Sequence, residues 1–241
     1  MQNGLYVALS AQISLEKRLN AVANNIANMA TGGYRAEETK FETLLAEAGS
    51  GPVAFSSPGE TFISRRAGEA KRTDAPLDVA VQGDAWLSVQ GPAGPLYTRD
   101  GRMTMDATGQ LLNVSGQPIL DAGGAPILLD PQGGPVMIGR DGSIVQNRNQ
   151  VGTIGVFILD PQAKLTRAAG GAIASSMPGT VVQDFARVGV VQGYSEGANV
   201  NPVLEMTKLI MIQRTFEQAA TLTSDTENAL QSAIRTLGPS S

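Results

Sequence analysis

The chain has 241 residues, a net charge of −4, and neither histidine nor cysteine. The missing residue types exclude thiol chemistry, imidazole acid–base catalysis, His-based triads and the usual zinc sites. The acidic balance argues against a nucleic-acid or anionic-membrane role for the chain as a whole. No run of 18 apolar residues occurs, so the sequence predicts no transmembrane segment.

The first periodic stretch predicts an amphipathic helix over 3–28. Its apolar residues recur mostly at steps of three and four, which places them on one side of a helix. Charged residues interrupt the stretch at Glu16, Lys17 and Arg18, so we expect no cleaved signal peptide. The apolar positions are Leu5, Leu9, Leu15, Leu19, Val22, Ile26 and Met29.

Asn24, Asn25 and Asn28 crowd the end of this helix, although asparagine is a poor helix former. One interpretation is a polar face with a C-terminal cap. The other is that the side-chain amides bond to a neighbouring backbone in a packed assembly. The sequence leaves both interpretations open.

The middle of the chain predicts an extended linker over 41–74 and an all-β domain over 75–192. Short apolar runs alternate there with turn signals at a spacing typical of all-β domains. Asp100-Gly101 between two β-type runs predicts a hairpin, and Asp106 to Gly109 and Asp141-Gly142 predict further reversals.

The turn carboxylates are the nearest approach to a chemical site. Asp100, Asp106, Asp141 and Asp160 each lie beside Gly or Pro, where Asp usually bonds to its own backbone. None lies in a loop with calcium-ligand periodicity, and no phosphate loop, Rossmann fingerprint or nucleophile elbow occurs. We therefore expect no metal, no cofactor and no enzymatic activity, although sequence alone does not exclude a spatial carboxylate pair.

The last periodic stretch predicts a helix over 202–237. Asn201 is a good N-cap, Pro202 suits the first helical position, and Glu205 favours the positive end of the dipole. An unbroken helix over this range would be about 54 Å long. A domain of roughly 100 residues is only about 33 Å across, so the apolar side of this helix needs a partner. That partner could come from the same chain, from other chains, or from both.

Together these patterns predict an α+β fold. The two terminal helices, at 1–40 and 193–241, would pair as an antiparallel coiled coil around the inserted β domain. The alternative is two unrelated helices on separate faces of one globule. The residues predicted to form the apolar seam are Leu5, Leu9, Leu19, Val22, Ile26, Val203, Met206, Ile210, Phe216, Leu230 and Ile234.

Three blocks of the chain resemble the bacterial flagellar rod and hook proteins. The first runs from Ala23 to Arg35, the second covers 77–84 and 97–101, and the third begins at Gly197. They lie in family order and span nearly the whole chain. The terminal residues that carry the resemblance are Asn24, Asn25, Asn28, Thr31, Gly33, Tyr34, Asn199, Val200, Glu205, Met206, Arg214, Phe216 and Glu217.

The resemblance implies a structural role in the basal body. It is strongest to proximal-rod members, with distal rod or hook as the alternative. Such proteins pass unfolded through the flagellar type III export apparatus and assemble with copies of themselves and other rod proteins. The tube that they form spans the periplasm, transmits torque and lines the export channel. The alternative from another class is a β-rich periplasmic ligand-binding module.

Overall fold

The computed structural model describes residues 2–40, 43–48, 51–56 and 60–237, and it contains two α-helices. Helix α1 covers Gln2–Ala27 and helix α2 covers Pro202–Leu237. Asn201 caps α2, because its side-chain oxygen accepts a hydrogen bond from the backbone of Leu204 at 3.1 Å. The sequence therefore placed both helices to within one residue.

The chain divides into two compact units. One comprises Met1–Ala27, Glu37–Thr61 and Asn201–Ser241, and the other comprises Asn28–Ala36 and Phe62–Val200. The first unit holds both helices and the strands β1 (Glu37–Lys40), β2 (Thr43–Ala48) and β3 (Gly51–Ser56). Strands β2 and β3 form an antiparallel hairpin, and β3 lies against α1.

The expected fold class is wrong. The described chain is mostly β, with several sheets, and its two helices do not form an antiparallel coiled coil of long helices. Helix α1 has 26 residues and α2 has 36. Their shared core is one small cluster in which Leu15, Val22 and Ile212 are buried. A coiled coil needs interlocking apolar residues in heptads along both helices. Here α1 also packs against the β2–β3 hairpin.

Short strands supply most of the second unit, and the first of them begins in the helical unit. In chain order they are β4 (Glu60–Ile63), β5 (Ala70–Arg72), β6 (Val79–Gln82), β7 (Trp86–Gly91), β8 (Gly94–Thr98), β9 (Met103–Met105), β10 (Leu111–Asn113), β11 (Val136–Ile138), β12 (Ser143–Gln146), β13 (Asn149–Thr153), β14 (Val156–Ile158), β15 (Leu165–Arg167), β16 (Ile173–Ser175), β17 (Thr180–Val181), β18 (Gly189–Gln192) and β19 (Tyr194–Glu196).

The largest sheet has six strands in the order β15-β16-β8-β7-β14-β17. A three-stranded sheet follows the order β11-β12-β13, and β9–β10, β6–β18 and β5–β19 form antiparallel pairs. Strand β7 is buried on both faces. Leu87 belongs to the main aliphatic core, whereas Trp86 belongs to a smaller cluster with Tyr97 and Phe157. This division follows the alternation of side chains along a strand.

Two of the predicted reversals are confirmed. Asp106 accepts hydrogen bonds from the backbone of residues 108 and 110 between the paired strands β9 and β10. Asp141 bonds to the backbone of Ser143 between β11 and β12. These are the local side-chain bonds that make Asp a turn residue.

The hairpin predicted at Asp100-Gly101 is wrong. Strand β8 pairs with β7 and β16, whereas β9 pairs with β10, so the dipeptide carries the chain from one sheet to another. A Cβ at Gly101 would overlap the carbonyl oxygen of Val79, which accounts for glycine at this close approach. The same two residue types thus serve a crossing rather than a hairpin turn.

Candidate assembly surface and signature cluster

Helix α2 exposes a stripe of large apolar side chains near its start. Val203 is 75% exposed, Met206 47% and Ile210 52%, at spacings of three and four residues. Leu204 and Met211 are exposed beside them. Phe216, which is 39% exposed, comes seven residues after Leu209 and therefore lies on another side of the helix. A contiguous apolar surface on a soluble protein usually marks an interaction site. We call the five residues Val203, Leu204, Met206, Ile210 and Met211 the α2 stripe.

The other predicted seam positions have mixed environments. On α1, Leu9 is exposed, Leu19 and Ile26 are partly buried, and Val22 is buried. The side chains of Leu5, Leu230 and Ile234 lie outside the described part of the structure.

The side of α2 that packs against α1 is a different one. Ile212 is buried at its centre, with Leu209 and Ala219 partly buried beside it. Adjacent residues are about 100° apart around a helix. Ile212 comes two residues after Ile210, so the two side chains point about 160° apart around the helix. The seam prediction did not include Ile212, although its three-residue step from Leu209 was the signal that could have found it.

Asn25 bonds to backbone rather than capping the helix. It is buried, and its amide exchanges two hydrogen bonds with the backbone of Glu37, at 2.9 and 2.7 Å. Its amide nitrogen also donates to the Glu205 carboxylate at 3.2 Å, and Lys208 pairs with that carboxylate at 2.6 Å. The neighbouring Asn24 is exposed and donates to the Glu37 carboxylate at 3.2 Å. The side-chain oxygen of Asn28 accepts from the Thr31 hydroxyl at 3.4 Å, so all three asparagines make side-chain contacts inside the chain.

The N-terminal signature continues into a tight turn. The carbonyl oxygen of Asn28 accepts a hydrogen bond from the backbone of Thr31 at 3.0 Å. Gly33 follows with φ +63°, and a Cβ there would overlap the backbone nitrogen of Asp100. Both the left-handed conformation and the close approach require glycine. The conformation of Gly33 therefore sets the direction in which Tyr34 and Arg35 leave the turn.

Asn199, from the C-terminal signature, forms hydrogen bonds with the backbone on both sides of Arg35. Its side-chain oxygen accepts from the backbone of Ala36 at 2.6 Å, and its amide donates to the carbonyl oxygen of Arg66 at 2.7 Å. Its own backbone nitrogen donates to the carbonyl oxygen of Tyr34 at 3.1 Å. Tyr34 is buried under the guanidinium of Arg167, 4.0 Å from the ring centroid. The two family signatures therefore meet.

Glu196 lies at the centre of this meeting point. Its carboxylate pairs with Arg35 at 2.7 Å and with Arg99 at 2.8 Å, and all three side chains are at most 3% exposed. The Gly33 nitrogen donates to its carbonyl oxygen at 2.7 Å. Both guanidinium groups also lie over the ring of Trp86, at 5.6 and 5.9 Å from its centroid.

The buried charges are supported unequally. Arg99 also donates to the carbonyl oxygens of Val81, Gly83 and Ala85. Burial lowers the pKa of Arg35 to about 10, with Arg99 adding to the decrease and Glu196 opposing it. Two arginines and one carboxylate give the group a net charge of +1. The folded state therefore depends on the Glu196 carboxylate to compensate the charge of both arginines. Neither Arg35 nor Arg99 was predicted to form an ion pair from the sequence.

The remaining signature residues lie at the surface of the structure or partly within it. Val200 is half-buried, whereas Arg214 and Glu217 are exposed on α2 near Phe216. Within the described residues no group of three or more potential metal ligands occurs. None of the described helices has a stretch long and apolar enough to cross a membrane.

Three family models match the chain in order. "Flagella basal body rod protein" covers residues 5–35, "Flagellar hook protein FlgE/F/G D1 domain" covers 80–146, and "Flagellar basal body rod FlgEFG protein C-terminal" covers 191–236. The first and last include the segments that meet at Glu196 and Asn199.

The curated relatives match over their whole length. The chain is 47% identical to the flagellar basal-body rod protein FlgF of Mesorhizobium japonicum and 45% identical to that of Rhizobium meliloti, covering 100% of each pair. It is 24% identical to the flagellar basal-body rod protein FlgG of Bacillus subtilis, over 97% of this chain and 98% of the relative. These matches favour neither the hook nor the ligand-binding alternative. The chain belongs to the family of flagellar basal-body rod proteins and matches its FlgF members from end to end.

Proposed function

We propose that the chain is a structural subunit of the proximal flagellar rod and joins its neighbours through the α2 stripe. The observation that carries the assembly surface is the exposure of Val203, Met206 and Ile210 on one side of a helix. Fully burying a side chain of this kind stabilises a complex by roughly 1.5–3 kcal/mol. The same contact recurs in every copy of a rod subunit. Partial burial of the stripe at each contact therefore adds up to a large stabilisation of the rod.

The partners in this proposal are copies of the chain itself and other rod proteins. A head-to-tail contact that does not close into a ring builds a filament or tube, whereas a self-complementary contact stops at a dimer. The exposed Arg214 and Glu217 lie beyond the apolar stripe and carry opposite charges. They supply polar contacts at its border, as the rims of interfaces do.

The tube would transmit torque and line the export channel. Its subunits would arrive through the flagellar type III export apparatus, and no catalytic step belongs to the proposal. The absence of histidine and cysteine is consistent with a purely structural role.

Imaging of basal bodies from the bacterium that carries this chain tests the proposal. A tag on the subunit should give density in the rod, and deletion of the gene should prevent filament growth. A deletion strain that swims normally would overturn the proposal. A ligand-dependent rise in the melting temperature of a stable monomer would instead favour a binding module.

A further inference from the structure

The Glu196 group joins three parts of the sequence that are far apart. Arg35 ends the N-terminal signature, Arg99 follows strand β8, and Glu196 ends strand β19 just before the C-terminal signature. Within the described residues, Glu196 is the only carboxylate that pairs with either arginine. Asp84 also acts on Arg35, but it is exposed and its influence on the pKa of Arg35 is the weakest of the causes.

Without Glu196, docking of the N-terminal signature would bury two like charges together. Both guanidinium groups are about 1% exposed and lie over the same indole ring. Removing one partner from a buried ion pair is strongly destabilising, because the remaining charge is left without compensation. Arg99 retains its three carbonyl partners, whereas Arg35 retains the carbonyl oxygen of Arg66. The penalty therefore falls mainly on docking of the segment that carries Arg35.

The backbone contacts depend on the same late part of the chain. Gly33 donates to the Glu196 carbonyl, and Asn199 holds Tyr34 and Ala36. We infer that residues 196–199 act as a closing strap, so that the N-terminal signature at 31–36 docks only once the C-terminal signature is in place. Burial of residues 31–36 would then require that residues 196–199 are already folded in place. This dependence goes beyond a role in assembly and would operate in the isolated subunit.

Amide hydrogen exchange on the full chain tests the strap. Glu196→Gln keeps the shape of the side chain but removes its charge, so exchange of amides in 31–36 should rise by about a hundredfold. Amides of β7, in the centre of the six-stranded sheet, should change far less. Glu69→Gln is the matched control, because this carboxylate is exposed and close in sequence to β5, the partner of β19. It should leave exchange in 31–36 unchanged.

A double variant separates the charge effect from simple loss of stability. Arg35→Met removes the cation that needs Glu196, so Arg35→Met/Glu196→Gln should exchange less than the two single effects predict together. If Glu196→Gln also loosens β7, recovery of β7 protection in the double variant would support the strap. Additive effects, no rise with Glu196→Gln, or a loosened β7 that does not recover would overturn it.

Discussion

Ile210 and Ile212 point to nearly opposite sides of α2, and they provide the sharpest test of the assembly surface. Ile210 is 52% exposed in the α2 stripe, whereas Ile212 is 4% exposed against α1. Truncating a buried isoleucine to alanine costs about 2–5 kcal/mol, and a carboxylate at that position adds the cost of burying a charge. Ile212→Asp should therefore loosen the helical unit within the isolated subunit. Ile210→Asp should change the stability of the isolated subunit by no more than about 0.5 kcal/mol.

The order of the two effects reverses in the cell. Burial of the exposed half of Ile210 against a neighbour would stabilise each contact by roughly 1 kcal/mol. An aspartate there forfeits this gain and either costs several kcal/mol or becomes protonated. Motility and rod assembly should therefore fail with Ile210→Asp, while helix exchange in the monomer and melting of the β unit stay unchanged. Normal swimming of the Ile210→Asp strain, or unchanged helix exchange in Ile212→Asp, would refute the assignment of the two faces.

Three further outcomes follow from the β unit. Gly33→Ala should lower the free energy of unfolding by at least about 2 kcal/mol, because it adds backbone overlap to the strain of a positive φ. Gly116→Ala has open space around its Cβ, so it should lower the free energy of unfolding by only about 1 kcal/mol. Thermal melting measures both values. Hydrogen bonds from Ser143 lower the pKa of Asp141, so its contribution to stability is present above pH 3.8 and is lost as the pH falls through the lowered pKa of the folded state. In Asp141→Asn this loss of stability in acid should be smaller, and motility should stay intact. A fragment of residues 75–192 should unfold cooperatively when followed by circular dichroism. A fragment of residues 62–200 should have a higher melting temperature, because it keeps Glu196 as the partner of Arg99. Absence of cooperative melting in the 75–192 fragment would contradict the local character of its turns.

Local signals in the sequence were sufficient to place the helices and several turns. Asn201 and Pro202 define the start of α2 because capping and proline geometry act within a few residues. Asp106 and Asp141 define reversals for the same reason, since each bonds to the backbone that follows it. Contacts of this range are encoded next to one another and can be predicted without knowledge of the fold.

Predictions that depended on distant partners were less reliable. Periodicity showed that α2 has apolar residues at helical spacing, but it did not show which side α1 would cover, and Ile212 rather than Ile210 is buried. The pairing of Glu196 with Arg35 and Arg99 was not predicted, because nothing in three separate segments indicates that they converge. Asp100-Gly101 has the composition of a hairpin turn, yet close approach to Val79 explains its glycine better.

The signature residues divide into two sets that do different physical work. Asn25, Gly33, Asn199 and Glu205 make contacts inside the chain, so they specify the subunit fold. The other set is exposed on α2 and comprises Met206, Arg214, Phe216 and Glu217. Contacts of the first set stabilise the folded subunit itself. Residues of the second set can contribute free energy only when a neighbouring subunit covers them. Substitutions in the first set should therefore lower the melting temperature of the isolated subunit, and substitutions in the second should impair assembly at an unchanged melting temperature.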